Sequence, residues 1–277
     1  MKKSKKLKKL AKANIKVLQS GKIKVTKGEK ISIKPFVKES VDNVIMSRLD
    51  GIISKEDVVV DTENLRCDKA TNMIDEMQIL DLTSKVSSAT TKTIVVSMTK
   101  KNVLNAFDYL GCDTIGMLLR TSTLASIYTS IKEAWVELNK DDATNFTNVL
   151  FIPKIMVFID FNTGKIRKTP LYVNLLVVAT PPVNKMSSDG VEEISDEMAA
   201  SRVIADIVES VIKCGAKNII LNPYCNKILQ KDKNMVSNLW NQVTTGQRVL
   251  EQINSIDYSL ENEEDFIVFT AAAKAVV

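Results

Sequence analysis

FIPKIMVFIDFNTGKIRKTPLYVNLLVVATPPVN, residues Phe151–Asn184, reads as two strands about one tight turn. Lys154–Phe161 is rich in β-branched and aromatic residues, and Asn162-Thr163-Gly164 has turn chemistry. Val173–Ala179 is a strongly apolar run closed by Pro181-Pro182. A strand apolar on both faces belongs inside a sheet covered on both sides. Downstream, residues 184–192 form a polar loop, and Ile194–Cys214 has the period of a long helix stopped by Gly215. Asn218–Leu221 is the next expected strand, residues 233–256 one or two helices, and Phe266–Phe269 a last strand. Upstream, Thr93–Ser97 and Thr114–Leu119 read as strands. A helix over Asn102–Tyr109 follows the first, stopped by Gly111. A helix capped by Ser122 or Thr123 and reaching Leu138 follows the second.

Nearer the N-terminus, Leu7, Leu10, Ala11, Ile15 and Leu18 recur at a helical period over residues 5–20, with Gly21 in a C-cap position. A second helix is expected over Phe36–Leu49, a strand at Val58–Val60 and a short helix around Met73–Ile79. Strands alternating with helices predict an α/β fold with a mainly parallel, mixed sheet covered by helices on both faces. The expected organisation is a basic arm and helix over residues 1–34, and one α/β domain over residues 35–277.

Composition narrows the chemistry. The chain has 277 residues and no histidine. Ser-His-Asp and Cys-His nucleophiles, histidine bases and most zinc sites are therefore excluded. Cys67, Cys112, Cys214 and Cys225 show no C-x-x-C spacing, and read as free thiols in a reducing, intracellular setting. No apolar run approaches the roughly 20 residues that span a bilayer, and no apolar segment of a secretory signal follows the basic start. The net charge of +5 is an average of two unlike parts. Residues 1–34 hold thirteen lysines and one acid, Glu29, a local charge of +12 that leaves the rest at −7. Lys2, Lys3, Lys5, Lys6, Lys8 and Lys9 could meet nucleic acid or another anionic surface. The plain alternative is a solvated, partly disordered tail.

Three stretches together resemble the microbial poly(ADP-ribose) glycohydrolase-like family of macrodomains. Phe151–Asn184 is similar to that family's two strands about a polar turn, the second ending in a small-residue/Pro/Asn signature. SRVIADIVESVIKCGAKNIIL (Ser201–Leu221) resembles its long helix feeding a strand, and NPYCNKILQKDKNMVSNLW (Asn222–Trp240) its glycine-rich loop and following helix. LAKANIKVLQSGKI (Leu10–Ile23) is similar to its opening helix. The resemblance implies a macrodomain-like fold and an ancestral ADP-ribose site.

Two expected features depart from that family. It carries consecutive glycines followed by Gln-Glu-Glu, which bring the catalytic glutamate to the ribosyl linkage. The expected place lies between the strand Thr114–Leu119 and the next helix, where RTSTLASIYTSIKE (Arg120–Glu133) offers no acid before Glu133 and no glycines. Glycosidic cleavage needs a carboxylic acid at the leaving oxygen. The phosphate-cradling loop departs too: Asn222, Cys225 and Lys227 stand where the resemblance implies glycines, whose bare backbone lets N–H groups approach a diphosphate. Lys227 could pair with a phosphate or simply be solvated, and Cys225 could be an activated thiol or an inert small residue. Asp196, Glu197 and Glu209 are spaced as a solvated face. Tyr172, Tyr224 and Trp240 read as core, as do Met46, Met73, Met77 and Met117.

The expectation is a catalytically inactive macrodomain-like protein, needing no cofactor, that binds other proteins as an adaptor or scaffold. Lys- and Asn-rich composition suggests an AT-rich genome such as that of a large bacteriophage, and one specific version is protein transport or assembly in a nucleus-forming phage. A residual ADP-ribose or nucleotide reader, and a nucleic-acid-associated protein, are the alternatives. In the inactive case Leu118, Leu119, Leu124, Cys225 and Ile228 are expected to fill the old cleft.

Overall fold

The computed structural model describes residues 2–26, 29–49, 65–69, 93–100, 114–139, 147–160, 163–180, 195–213, 215, 217–224, 227–260 and 262–274. The expected strand at Val58–Val60, the helices around Met73–Ile79 and Asn102–Tyr109, and the loop 184–192 lie outside them.

The first helix, α1 (Lys2–Ser20), lays Leu7, Leu10 and Ala11 into the core. A disordered tail is thereby corrected: these side chains have helical spacing and an apolar surface to cover. Asn14 is buried on the same face, where its Nδ2 donates to the carbonyls of Leu119 (2.6 Å) and Ser122 (3.1 Å). Gly21 ends the helix at φ +66°, a conformation that favours glycine. A small antiparallel ribbon follows, β1 (Lys22–Thr26) and β2 (Glu29–Ser32).

The helix α2 (Lys34–Asp42) stops seven residues before the expected end. The Asn43 Nδ2 donates to the Glu39 carbonyl at 2.7 Å, and Ile45–Leu49 then forms the strand β3. The β-branched and apolar run there is claimed by a sheet edge rather than continued as helix.

The main sheet has seven strands in the order β3-β6-β7-β5-β8-β9-β4, with β4 (Leu65–Lys69), β5 (Thr93–Lys100), β6 (Thr147–Ile159), β7 (Ile166–Thr180), β8 (Asn218–Leu221) and β9 (Ser255–Leu260). Only β6 runs against the others within this sheet. The expected mixed, mainly parallel sheet is therefore present. The hairpin about residues 160–165 is closed by Gly164 at φ +66°, whose N–H donates to Asp160 O at 2.7 Å. Pro153 and Lys154 bulge β6 opposite Asn174, between the pairs Ile152↔Leu175 and Ile155↔Val173. Proline cannot donate to a ladder, so a bulge is where it fits. Lys154 takes φ +55°, and its N–H donates to Asn174 Oδ1 at 3.0 Å.

Alternation along the strands sends side chains to two cores. Leu150, Ile152, Val173, Leu175, Val177 and Ile220 face one, under α1, α2, α3 (Thr114–Thr121) and α4 (Leu124–Leu138). Val149, Leu176, Val178, Ile219, Leu221, Ile256 and Tyr258 face the other. That side is covered by α5 (Asp196–Lys213), α6 (Lys233–Thr244), α7 (Gln247–Gln252) and α8 (Glu263–Lys274).

Two expected strands are helices. Residues 114–121 form α3, buried on every side, so the apolar run shows no period to distinguish it from a strand. Phe266–Phe269 lies inside α8. There the Asn262 Oδ1 accepts from the Asp265 N–H at 2.9 Å, and Glu263, Glu264 and Asp265 fill the positive end of the helix. The last strand is β9, which takes the end of the region expected to be helical to residue 256.

Candidate functional site

The strands β7, β5, β8 and β9 all end at one edge of the sheet, at Thr180, Lys100, Leu221 and Leu260. Ligands of open α/β sheets bind outside the carboxyl ends of the strands, where adjacent connections diverge. Here β7 and β8, joined through α5, flank β5, so the segments after β5 and β8 leave neighbouring strands. Asn222 and Lys227 stand in the segment after β8, and Cys225 lies outside the described residues.

That segment is organised from below by its own side chains. Asn222 Oδ1 accepts the Tyr224 N–H at 2.8 Å, an Asx turn that starts the loop. Pro223 O accepts Trp240 Nε1 at 2.9 Å, so the buried indole of α6 holds the backbone immediately after the strand. Tyr224 is buried, with its hydroxyl 2.7 Å from Ser237 Oγ and its ring edge-on to Phe269. Its carbonyl accepts Gln230 Nε2 at 3.0 Å. Tyr224 and Trp240 are thus core residues, as expected, whereas Tyr172, also expected in the core, is exposed on β7. Asp232 then caps α6, its carboxylate accepting the Met235 N–H at 3.0 Å.

Asn222 does not take a positive φ, so that position does not require the backbone freedom of glycine. Lys227 is exposed. Lys231 nearby pairs with Asp196 at the start of α5, at 2.5 Å. Lys233 pairs with the buried Asp265, and its Nζ sits 5.4 Å from the Tyr224 ring centre.

Of the residues expected to fill a common cleft, those described do not meet. Leu118, Leu119 and Leu124 are buried in the core beneath α1, whereas Ile228 packs against the core on the opposite side of the sheet. The sheet itself separates them. Placing the departed catalytic loop after a strand at Thr114–Leu119 is corrected for the same reason, because that strand is a helix. The α3–α4 corner is stitched to β6 instead. Thr123 N donates to Met156 O at 3.0 Å, and Met156 N donates to Thr123 Oγ1 at 3.1 Å. Among the described residues the strand preceding this helix pair is β5, and residues 101–113, KNVLNAFDYLGCD, lie between them in the sequence, outside the described residues.

Among the buried charged residues that escaped the sequence reading are Arg120 and Asp206. Arg120 lies fully buried in α3, and Asp206 is buried in α5, where Thr147 Oγ1 donates to its carboxylate. Burial pushes the Asp206 carboxyl above its usual range, a rise opposed by Thr147 and Arg202 and reinforced by Glu209. The signal for both is a charge interrupting an apolar face. No group of three metal-capable side chains occurs among the described residues. None of their helices is long and apolar enough to cross a membrane. A pocket of about 290 Å³ lies away from the Asn222 loop, among Leu18, Ile33, Lys34, Val37, Val41 and Ser126.

No protein-family model matches the sequence, and no curated protein matches it. Solved structures do. Poly(ADP-ribose) glycohydrolase from Thermomonospora curvata superposes with a TM-score of 0.65 at 14% identity, covering 96% of this chain and 98% of that one. The same enzyme bound to the inhibitor ADP-HPD gives 0.64 at 13% identity, with the same coverage. Poly(ADP-ribose) glycohydrolase from Deinococcus radiodurans in complex with ADP-ribose gives 0.62 at 11% identity, over 87% of this chain and 98% of that one. At such identities the likeness concerns architecture alone, and this chain has the macrodomain-like fold of the bacterial poly(ADP-ribose) glycohydrolases.

Proposed function

We propose that this chain is a non-hydrolysing protein of the glycohydrolase fold that works by binding other proteins, as an adaptor or scaffold. One observation carries the reading. The connection from β5 to α3, residues 101–113, holds the single glycine Gly111 and no glutamate, and the whole chain has neither consecutive glycines nor Gln-Glu-Glu. A ribosyl linkage needs a carboxylic acid placed at its leaving oxygen, worth about 10²–10⁴ in rate, and the connection offers only Asp108 and Asp113, with no Gln-Glu-Glu beside them. Fold does not fix activity, and a scaffold with a rigid sheet and two helical faces serves binding as readily as catalysis. An AT-rich viral genome, such as that of a large phage, is the source this reading favours.

The test is direct. The purified chain incubated with poly(ADP-ribose) or ADP-ribosylated protein is expected to release no ADP-ribose above the buffer control. Release that Asp108→Asn or Asp113→Asn abolishes would overturn the proposal, since these are the acids of that connection. A second reading, an ADP-ribose or nucleotide reader, is favoured by the position of Asn222 and Lys227 at the carboxyl edge of the sheet. Calorimetry decides between the two. Micromolar ADP-ribose affinity lost in Lys227→Glu establishes the reader. For the adaptor, Lys38 on α2 is an exposed position at which charge reversal should weaken partner capture without unfolding. Lys233 is unsuited to that role, because it neutralises the buried Asp265.

A further inference from the structure

The lysines of α1 are ordered by the helix, not scattered along a tail. At about 100° per residue, Leu7, Leu10, Ala11 and Asn14 point to one side, and all four are buried. Lys5, Lys8, Lys9, Lys12 and Lys16 fall within an arc of roughly 100° centred on the opposite side, and all five are exposed. None of the five has an ion-pair partner among the described residues. Between Lys5 and Lys16 the stripe extends for about 16 Å at 1.5 Å per residue.

The fold adds cations from elsewhere in the sequence. The β6–β7 turn abuts α1, since a Cβ built on Gly164 would lie 3.2 Å from Leu10 Cδ2. Lys165 follows Gly164 directly and Lys168 lies three residues further on, and both are exposed. In the ribbon, Lys24 and Lys30 are direct cross-strand partners and both are exposed; Lys22 is exposed two residues before Lys24, while Ile23 between them is buried. Like charges held opposite one another in a ribbon weaken it. The acids of these segments are few: Glu29 at the ribbon turn, and Asp160, which is engaged by Arg167 at 3.3 Å.

We infer that α1, the ribbon and the β6–β7 turn form a nucleic-acid-binding face that grips the phosphate backbone without reading sequence. It is independent of whether the chain also binds proteins or ADP-ribose. Three observations select this partner. A regular row of lysines without interleaved acids matches a polymer of evenly spaced charges. An interfacial membrane helix must insert its apolar face, whereas that of α1 is already buried in the protein's own core. The face presents lysine point charges, its Arg167 being engaged by Asp160, which suits backbone contact over base readout.

The experiment is fluorescence anisotropy of the full chain with labelled duplex DNA and single-stranded RNA of mixed sequence, across a salt series. Lys5, Lys8, Lys9, Lys12 and Lys16 are changed together to Gln, which keeps helix propensity, and circular dichroism confirms the fold. Expected are sequence-independent binding by the native chain and at least about ten-fold weaker binding by the variant at 100 mM salt. The slope of log K against log salt should shrink by about 4 for duplex DNA. Lys132→Gln, an exposed lysine on α4, serves as the control and should change nothing. The inference is overturned if the native chain does not bind at low salt, or if the five-fold variant binds as well as the native chain. It is equally overturned if the face binds phosphatidylserine vesicles and neither nucleic acid.

Discussion

Asp206 shows how one side chain can set a pH dependence for the whole fold. Its carboxyl is buried between α5 and β6 and accepts a hydrogen bond from Thr147, yet burial dominates and raises its affinity for a proton. An acid with a raised folded pKa binds its proton more tightly folded than unfolded. Ionisation therefore works against the fold, and stability is lost as pH climbs from the ordinary Asp value of about 4 through the raised one. Asp206→Asn keeps an oxygen for Thr147 and removes the charge. The variant should match the native protein near pH 4 and exceed it by on the order of 1 kcal/mol at pH 7–8, as measured by urea unfolding at both pH values. Equal stability of the two proteins at pH 8 would count against this account. At this scale the sequence was half legible. Asn222 and Lys227 were found as loop positions at a strand end. Their backbone conformation, which decides whether a glycine is missed there, depends on contacts from Trp240, Ser237 and Gln230 that no local pattern encodes.

Among the helices, those whose apolar period shows in the sequence were readable and those whose composition hides it were not. The helices α1, α4 and α5 present apolar and polar sides, so their periods are visible in the sequence. The strands β7 and β8 were legible as apolar runs of strand length. By contrast, α3 is dry all round and α8 carries a Phe-Ile-Val-Phe run of strand-like composition. In both, context overrode composition: an N-terminal cap for α8, and enclosure by α1 and β6 for α3. The end of α2 was missed because Asn43 stops the helix by a side-chain bond to the Glu39 carbonyl, while the apolar spacing continues into β3. The docking of α1 has its own measurable consequence. Leu10 is buried against the β6–β7 turn, so Leu10→Ala should cost about 2–5 kcal/mol in denaturant unfolding. Lys12→Ala, on the wet side of the same helix, should change stability by less than about 0.5 kcal/mol. Comparable losses from the two would mean that α1 is not packed as described.

For the molecule as a whole, sheet order is the property that sequence withheld. Alternation of strands and helices announces a covered parallel sheet, but nothing local says that β3 and β4, close neighbours in the chain, end up on opposite edges. Among the described residues the edge strand β4 pairs with β9 alone, register Leu65↔Ile256 through Lys69↔Leu260. Removing residues 255–277 should therefore do more than trim an end. It strips β4 and β8 of a shared neighbour and takes Tyr258, Leu260 and Phe269 from one core. The truncated chain is expected to be insoluble or aggregated in gel filtration, and a monodisperse, cooperatively unfolding product would contradict the topology. The same pairing matters before the protein is ever complete. Roughly 190 residues separate β4 from its partner, and at about 5–20 residues per second a ribosome takes some 10–40 s to make them. Throughout that interval the nascent chain carries a strand whose partner β9 is not yet made. Production of this protein should consequently be sensitive to chaperone supply and to translation speed, in a way that a fold with neighbouring strands paired in order would escape.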